Sequence, residues 1–354
     1  MLDKIVEPLL KWYDANARIL PWREEPSPYR VWVSEIMLQQ TRVQAVKPFF
    51  ERFITALPTI KDLAECDEIK LMKLWEGLGY YNRVRNMQIA AKSIMEEFGG
   101  EMPDNYKQVL SLKGIGSYTA GAVSSIAFQI AVPAVDGNVL RVISRVIASY
   151  EDILKASVKK QMEDKIAKII PLDRPGDFNQ ALMELGAMIC IPNGMPNCEM
   201  CPLEWICKAH EMCIVTELPK KTQGKARKIE DRTVLIIKDG DKVLLQKRPL
   251  KGLLAGLYEF PNVLGHYSND EVLALLKEKQ LSPLRIQRLR ESKHIFSHLE
   301  WRMIGYVIKV EEMTEPSEFE YMFVDTKEAV ETYAIPAAFQ AYTRYINIRL
   351  GEVK

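Results

Sequence analysis

The stretch Leu112-Lys113-Gly114-Ile115-Gly116-Ser117-Tyr118-Thr119-Ala120, followed shortly by Val135-Asp136-Gly137-Asn138-Val139, constrains the fold of this chain more than any other. Neither glycine carries a Cβ, so a hairpin through them lies close to an anion, and the helix that follows points unpaired amides at it. The spacing predicts a helix-hairpin-helix over about residues 105–128, with Gly114, Gly116 and Ser117 as phosphate-binding candidates. Asp104 and Ser117 are the expected caps of its two helices. A hairpin of this kind can also do no more than grip DNA. Asp136 falls at or just before the next helix, where the amide dipoles favour its ionised form.

A chain of 354 residues, 47% hydrophobic, can bury a large core and is long enough for two domains. Its net charge of +1 means that any surface for a polyanion is made by clustering. Residues 1–216 carry helical periods and read as all-α. Met1 to Arg18 is an expected amphipathic helix with Ile5, Val6, Leu9, Leu10 and Tyr13 on one side, without the apolar run of a signal peptide. No segment is long and apolar enough to span a membrane, and a soluble, intracellular protein is expected. Ser27-Pro28 is a good helix start and predicts a helix from Tyr29 to about Val46 that carries Glu35. Residues 217–231, with Lys220, Lys221, Lys225, Arg227 and Lys228 against Glu217, read as a basic linker, either solvated or lying along a DNA backbone. From Thr233 the period changes. Thr233 to Lys238, Asp239-Gly240 and Lys242 to Arg248 predict strand, tight turn and strand. A helix near Asn269 to Lys279, strands at 284–297 and 301–310, and a closing helix from Pro336 make residues 232–354 α+β.

Six cysteines are present, and four of them fall between Cys190 and Cys207 with the spacing Cys190-x7-Cys198-x2-Cys201-x5-Cys207. Such crowding argues against disulfides and for one soft metal centre, either a [4Fe-4S] cluster or a tetrahedral zinc, which spacing alone does not separate. Cys66 is expected as a helix-packing residue and Cys213 as a spare thiol.

The hairpin with Pro133 and Asp136 resembles the helix-hairpin-helix Gly-Pro-Asp superfamily of base-excision DNA glycosylases. Leu20-Pro21-Trp22-Arg23, Val31 to Thr41 and Gly77-Leu78-Gly79-Tyr80-Tyr81-Asn82-Arg83 are closely similar to segments of its MutY-type, adenine-removing branch. Leu253 to Pro261 resembles a Nudix-fold domain. The Arg-Glu-x-x-Glu-Glu helix of Nudix hydrolases is missing, and Glu271 and Glu278 stand at the wrong spacing for its Mg2+. His294-Ile295-Phe296-Ser297-His298-Leu299 resembles the loop by which MutY-type enzymes sense 8-oxoguanine, with Phe296 and Ser297 as the contacts. The resemblance implies an all-α glycosylase domain with an iron-sulfur loop, followed by an α+β recognition domain. Endonuclease III and its relatives carry Cys-x6-Cys-x2-Cys-x5-Cys, which implies a [4Fe-4S] cluster on Cys190, Cys198, Cys201 and Cys207. The extra residue here falls among two prolines and a glycine, where a loop can absorb it. In the lyase branch a lysine stands at the position of Tyr118 and attacks the sugar as an amine. A phenol forms no Schiff base, so base removal without efficient strand cleavage is expected.

Adenine is a poor leaving group, and its excision needs a proton on the base and an anion beside the developing sugar cation. Glu35, flanked by Trp32, Ile36 and Leu38, is the expected acid, its pKa raised by desolvation. Asp136, held ionised, is expected to stabilise or attack the sugar as in retaining glycosidases. Tyr118 and Asn138 are their orienting partners. The resemblance further implies Trp22, Arg23, Leu38 and Gln180 in an adenine pocket, and Gln40 and Tyr80 filling the gap in the duplex. It also implies Thr41 and Leu78 near the opposite base. Double-stranded DNA with adenine mispairs is the implied partner, bound by a monomer, with replication-clamp or mismatch-repair proteins as further partners. Alternatives are a thymine or oxidised-pyrimidine glycosylase with lyase activity, a non-catalytic iron-sulfur DNA-binding protein, and a nucleotide pyrophosphatase.

Overall fold

The computed structural model describes residues 2–222, 224, 226–311 and 321–346. Two compact units emerge, one made of Met1–Glu65 with Asn82–Gln223 and the other of Cys66–Tyr81 with Gly224–Lys354. Residues 66–81, expected with the helical domain, thus join the second unit. Their helix Glu68–Leu74 is capped by Asp67, and Glu76 accepts the amide of Ile335 at 2.8 Å. Cys66 sits in the loop before that helix, half-buried, rather than in a helix interface.

Among the described residues the first unit holds helices and one isolated bridge, Asp152 to Lys220, and no strand. The amphipathic N-terminal helix runs Val6–Asn16 and buries Leu9 and Tyr13; Ile5, just ahead of it, is buried in the same cluster as Val139, Ile143, Phe178 and Leu182. Ser27 caps Pro28–Leu38 as expected, its hydroxyl accepting from the Arg30 amide at 3.3 Å. The helix expected to reach Val46 stops at Leu38, and a new one begins at Val43. Its end is fixed from a distance: Arg83 Nη1 donates to the carbonyls of Ile36 at 2.6 Å and Gln39 at 2.8 Å, and Gln40 turns left-handed at φ +60°. A guanidinium on the last carbonyls completes a helix terminus that continuation would otherwise satisfy.

The hairpin joins helices Tyr106–Ser111 and Ser117–Phe128. Asn105, not Asp104, caps the first, accepting from Lys107 at 2.9 Å. Gly116, not Ser117, is the N-cap of the second; the Ser117 hydroxyl instead donates to Glu163 Oε1 at 2.8 Å. A Cβ on Gly114, where φ is +78°, would stand 2.6 Å from the Asn86 side chain, whereas one on Gly116 would meet only open space.

The basic segment is not a free connector throughout. Ile153 donates to the Lys220 carbonyl at 3.2 Å, the Thr222 hydroxyl bonds Asp152, and Lys228 already pairs with Leu299 in a sheet. Lys225 lies outside the described residues.

In the second unit, β1 (Lys228–Asp239), β2 (Lys242–Lys247), β3 (Tyr258–Glu259), β4 (Asn262–Leu264), β5 (Pro283–Ile295), β6 (Leu299–Val310) and β7 (Tyr321–Asp325) form one mixed sheet. Its order is β3-β2-β1-β6-β5, with β4 on β1 and β7 on β2; β1 and β6 are parallel and the other pairs antiparallel. Asp239-Gly240 makes the predicted tight turn, with Asp239 opposite Lys242. One face buries Val234, Trp301 and Met303 with Phe339 and Tyr342. The other buries Leu235, Ile304 and Tyr306 beneath helix Asn269–Glu278. Ser268 and Glu271 close a capping box on that helix, so the Glu271 carboxylate is spent on the chain itself. The closing helix expected from Pro336 is reduced to Ala337–Phe339 and Gln340–Thr343; residues 347–354, where it would continue, lie outside the described residues.

Candidate functional site

A cavity of about 510 Å³ opens in the helical unit, lined among others by Trp22, Arg23, Glu35, Leu38, Gln40, Thr41, Tyr118, Asp136, Asn138 and Gln180. Ten of the candidate residues thus come together from distant parts of the sequence. Its volume falls within the range of small-molecule sites.

Glu35 stands on the buried face of Pro28–Leu38 and is 6% exposed. The Tyr118 hydroxyl, from the first turn of the second hairpin helix, donates to Glu35 Oε2. Burial pushes the Glu35 carboxyl up to about 7, a shift the Tyr118 hydrogen bond opposes and the nearby Asp136 charge reinforces.

Asp136 is the N-cap of Gly137–Val146: Oδ1 accepts from the Val139 amide at 2.8 Å and Oδ2 from Asn138 Nδ2 at 2.7 Å. Burial nevertheless raises its pKa, against the pull of those hydrogen bonds and of Arg141. The expectation that the helix terminus holds this carboxyl low is therefore corrected: desolvation outweighs the capping amides. Asn138 is itself held, its Oδ1 accepting from Arg141 Nη2 at 2.8 Å, and a Cβ on Gly186 would stand 2.6 Å from the Asn138 Cβ. Only glycine lets Pro175–Met188 pass this close.

Sequence reasoning missed the opposite wall. Glu184, 1% exposed, accepts Arg18 Nε at 2.6 Å and Nη2 at 2.8 Å, and Arg23 Nη2 at 3.0 Å. Burial raises its pKa, but the two guanidiniums overturn that and hold it at about 2. Arg23 also donates to Gln180 Oε1 at 3.0 Å. Gln180 and Glu184 are four apart on one helix face, a spacing that marks them as neighbours in sequence. Trp22 is both lining and core, 5% exposed with its ring edge-on to Phe50 at 5.3 Å.

Leu78 and Tyr80 fall in the second unit, within a turn where Gly77, Gly79 and Tyr80 all take positive φ; Leu78 is buried and Tyr80 is 51% exposed. Phe296 and Ser297 form the turn between β5 and β6. Phe296 stacks edge-on to Trp301 at 4.9 Å and to His294 at 4.6 Å, while Ser297 is exposed.

Cys190, Cys198, Cys201 and Cys207 line one small pocket together with Arg145, Ile189, Pro196 and Val215. Burial pushes the thiols of Cys198, Cys201 and Cys207 up, Cys201 to about 12, so a metal is needed to hold them as thiolates. Among the described residues no three ligating groups converge closely enough for a single ion. Four soft thiol donors facing one small pocket are the donor set that a soft metal centre requires. Arg145 Nη1 lies 3.1 Å from Cys190 Sγ, and Arg141 Nε donates to the Cys190 carbonyl at 2.7 Å. Cys213 is exposed.

Residues 33–170 match the family described as HhH-GPD superfamily base excision DNA repair protein, and residues 232–345 match the NUDIX domain. The adenine DNA glycosylase of Rattus norvegicus is 35% identical, covering 87% of this chain and 71% of that protein. The human adenine DNA glycosylase is 36% identical over 86% of this chain and 67% of its own length. That of Buchnera aphidicola subsp. Baizongia pistaciae is 34% identical over 82% of each. Among solved structures, a thermostable thymine-DNA glycosylase superposes with a TM-score of 0.53 at 29% identity, covering 60% of this chain and 97% of that one. A trapped endonuclease III–DNA intermediate shares the fold, with a TM-score of 0.52 at 24% identity over 60% of this chain and 97% of its own. No helix among the described residues is long and apolar enough to cross a membrane. With a helix-hairpin-helix unit, a Nudix-like sheet and relatives matched over most of its length, the chain belongs to the adenine DNA glycosylase family.

Proposed function

We propose that this protein is a monofunctional DNA glycosylase of base excision repair that flips out and excises adenine paired with 8-oxoguanine or guanine. The observation that carries this reading is the pair of carboxyls in one cavity, Glu35 bound by Tyr118 and Asp136 bound by Asn138. Unstacking the adenine costs a few kcal/mol, offset by the pocket and by side chains that take its place in the duplex. Gln40 and Tyr80 fill that gap, Thr41 and Leu78 meet the opposite base, and Phe296 and Ser297 read it for the 8-oxo group. Trp22, Arg23, Leu38 and Gln180 bound the adenine. The backbone at Gly114, Gly116 and Ser117 holds a phosphate.

Glu35, with a pKa of about 7, is protonated in a large share of molecules at neutral pH, where an unperturbed glutamate would not be, and delivers that proton to adenine N7. As the glycosidic bond lengthens, positive charge grows on the sugar, and the Asp136 carboxylate faces it or bonds to it before water attacks. That developing cation favours the ionised Asp136, which burial alone disfavours. Tyr118 orients Glu35, Asn138 orients Asp136, and no amine stands at position 118 to cleave the strand.

Cys190, Cys198, Cys201 and Cys207 would hold a [4Fe-4S] cluster, which when bound crosslinks the loop after Pro175–Met188 by Fe–S bonds. Residues 1–216, apart from 66–81 which pack with the second unit, act as the glycosylase domain, and residues 232–354 as the recognition domain, joined through 217–231. The protein works as a monomer within the cell on double-stranded DNA, with clamp or mismatch-repair proteins as further partners.

The test is a single-turnover assay on duplexes carrying adenine opposite 8-oxoguanine, adenine opposite guanine, and thymine opposite guanine, each split between alkali and no treatment. Adenine release alone, fastest opposite 8-oxoguanine and seen as breaks only after alkali, is the expected result. Thymine release, or equal breakage without alkali, overturns it.

A further inference from the structure

Strands β5 and β6 form a long antiparallel hairpin whose tip is the Phe296–His298 turn. Leu289 lies opposite Gly305 and Ser292 opposite Met303, so a bulge puts one extra residue into β5 between them. One residue reverses which side chains face which side of a sheet. Ahead of the bulge, Leu289 faces the core of Phe339 and Tyr342, so Arg288, opposite Tyr306, faces the other way; Arg290, the first residue of the bulge, follows Leu289 and is exposed. Beyond it, His294 lies opposite Trp301 of that same core, so Lys293 now shares the face of Arg288. Arg302, directly opposite Lys293, joins them, and all four are exposed.

Arg288 pairs with Glu291 and Arg302 with Glu300, each at 3.2 Å. Among the described residues no ion pair holds Arg290 or Lys293. Like charges directly opposite each other, as at Lys293 and Arg302, destabilise a hairpin unless an anion lies between them. In a chain of net charge +1, such a stripe leading to the tip of one hairpin is a local concentration of charge.

We propose that this face of the β5–β6 hairpin is a phosphate-binding surface, on which Arg290 and Lys293 contact the DNA backbone beside the base read by the Phe296–Ser297 turn. The assignment rests on the reading of that turn as a contact to the base opposite adenine. The bulge is the device that makes it, because without the extra residue Lys293 would face the core side.

The experiment measures binding of the full-length protein to a duplex carrying an uncleavable tetrahydrofuran abasic site opposite 8-oxoguanine, over a series of KCl concentrations. Each phosphate contact contributes about 0.9 to the slope of log Kd against log [KCl]. The double variant Arg290→Gln/Lys293→Gln is expected to lower that slope by about 2, while Arg290→Lys/Lys293→Arg keeps it. Lys242→Gln/Lys327→Gln, equal in charge and exposed at the β2–β7 edge of the sheet, is expected to leave it unchanged. An unchanged slope in the first variant overturns the proposal, as does an equal fall in the control. Aggregation with an unchanged slope also overturns it, because the cations then serve to guard an edge strand. Failure of the functional reading is separate: the wild-type protein would then release no adenine.

Discussion

Two glutamates line the same cavity and are driven in opposite directions. On one wall Glu35 meets a phenol and a neighbouring carboxyl, and burial lifts it to about 7; on the other Glu184 meets two guanidiniums and sits at about 2. Both are almost fully enclosed. Depth therefore does not decide protonation here; the partner does, and a hydroxyl cannot repay the lost hydration of a carboxylate as a pair of cations can. One wall keeps a transferable proton at neutral pH, and the other keeps a fixed negative charge that holds Arg23 and, through it, Gln180 in place.

The comparison breaks most sharply at Glu35. Replacing it by Gln removes the proton and keeps the shape, and single-turnover adenine release is expected to fall about 10²- to 10⁴-fold with DNA binding retained. A fall below tenfold would show that the proton comes from elsewhere. Glu184→Ala strikes the other wall and leaves two guanidiniums facing each other. Denaturant unfolding should register a loss of about 3 kcal/mol, discounted toward 2 because Arg18 and Arg23 are partly exposed. Stability unchanged within error would mean that solvent already supports the arginines.

The pH dependence sharpens the contrast. A general acid works while protonated, so the rate should fall about tenfold per pH unit above roughly 7 as Glu35 ionises, and fall again on the acid side as Asp136, its pKa raised by burial, takes up a proton. Tyr118→Phe removes the hydrogen bond that pulls the Glu35 pKa down, so the alkaline limb should move to higher pH by up to about one unit. A shift the other way would count against Tyr118 as donor. For Glu184 the sign is reversed: its pKa lies below the unfolded value, so its stabilisation is complete above about 4.5 and drains away as the pH falls toward 2. The smallest effect is expected outside the cavity. Phe296→Ala deletes a ring that already packs on Trp301, and should narrow the rate advantage of 8-oxoguanine over guanine several-fold without changing release opposite guanine. Equal losses opposite both bases would mark Phe296 as a packing residue alone.

The two walls also differ in how far sequence reveals them. Asp136, Asn138 and Val139 lie within one helical turn, and a capping carboxylate is a local pattern, so that group could be read directly. Arg18 and Glu184 are 166 positions apart and meet only because the segment after the N-terminal helix packs against Pro175–Met188, which no local period encodes. The same cause explains the helix that ended early: Ser27 marks its start within four residues, but its stop depends on Arg83, more than forty residues on. The raised pKa of Asp136 escaped because a helix terminus is visible in sequence and desolvation is not. In the sheet unit the strands and their tight turn follow from alternation, whereas the bulge that reverses the facing of Lys293 has no turn residue to announce it. The four cysteines were legible as a centre, and the arginines that buttress them were not.

Gln40 carries a left-handed backbone just where Arg83 grips the preceding carbonyls. A residue with a Cβ pays for that conformation, of order 1–2 kcal/mol, and the helical unit supplies it while folding. On the proposed role of Gln40 in the duplex, its backbone then arrives already shaped, and only the exposed side chain is left to be ordered at the encounter with DNA. Loosening Arg83 would thus slow the search for mispairs, because the protein would have to assemble its probe anew at every base pair it tested.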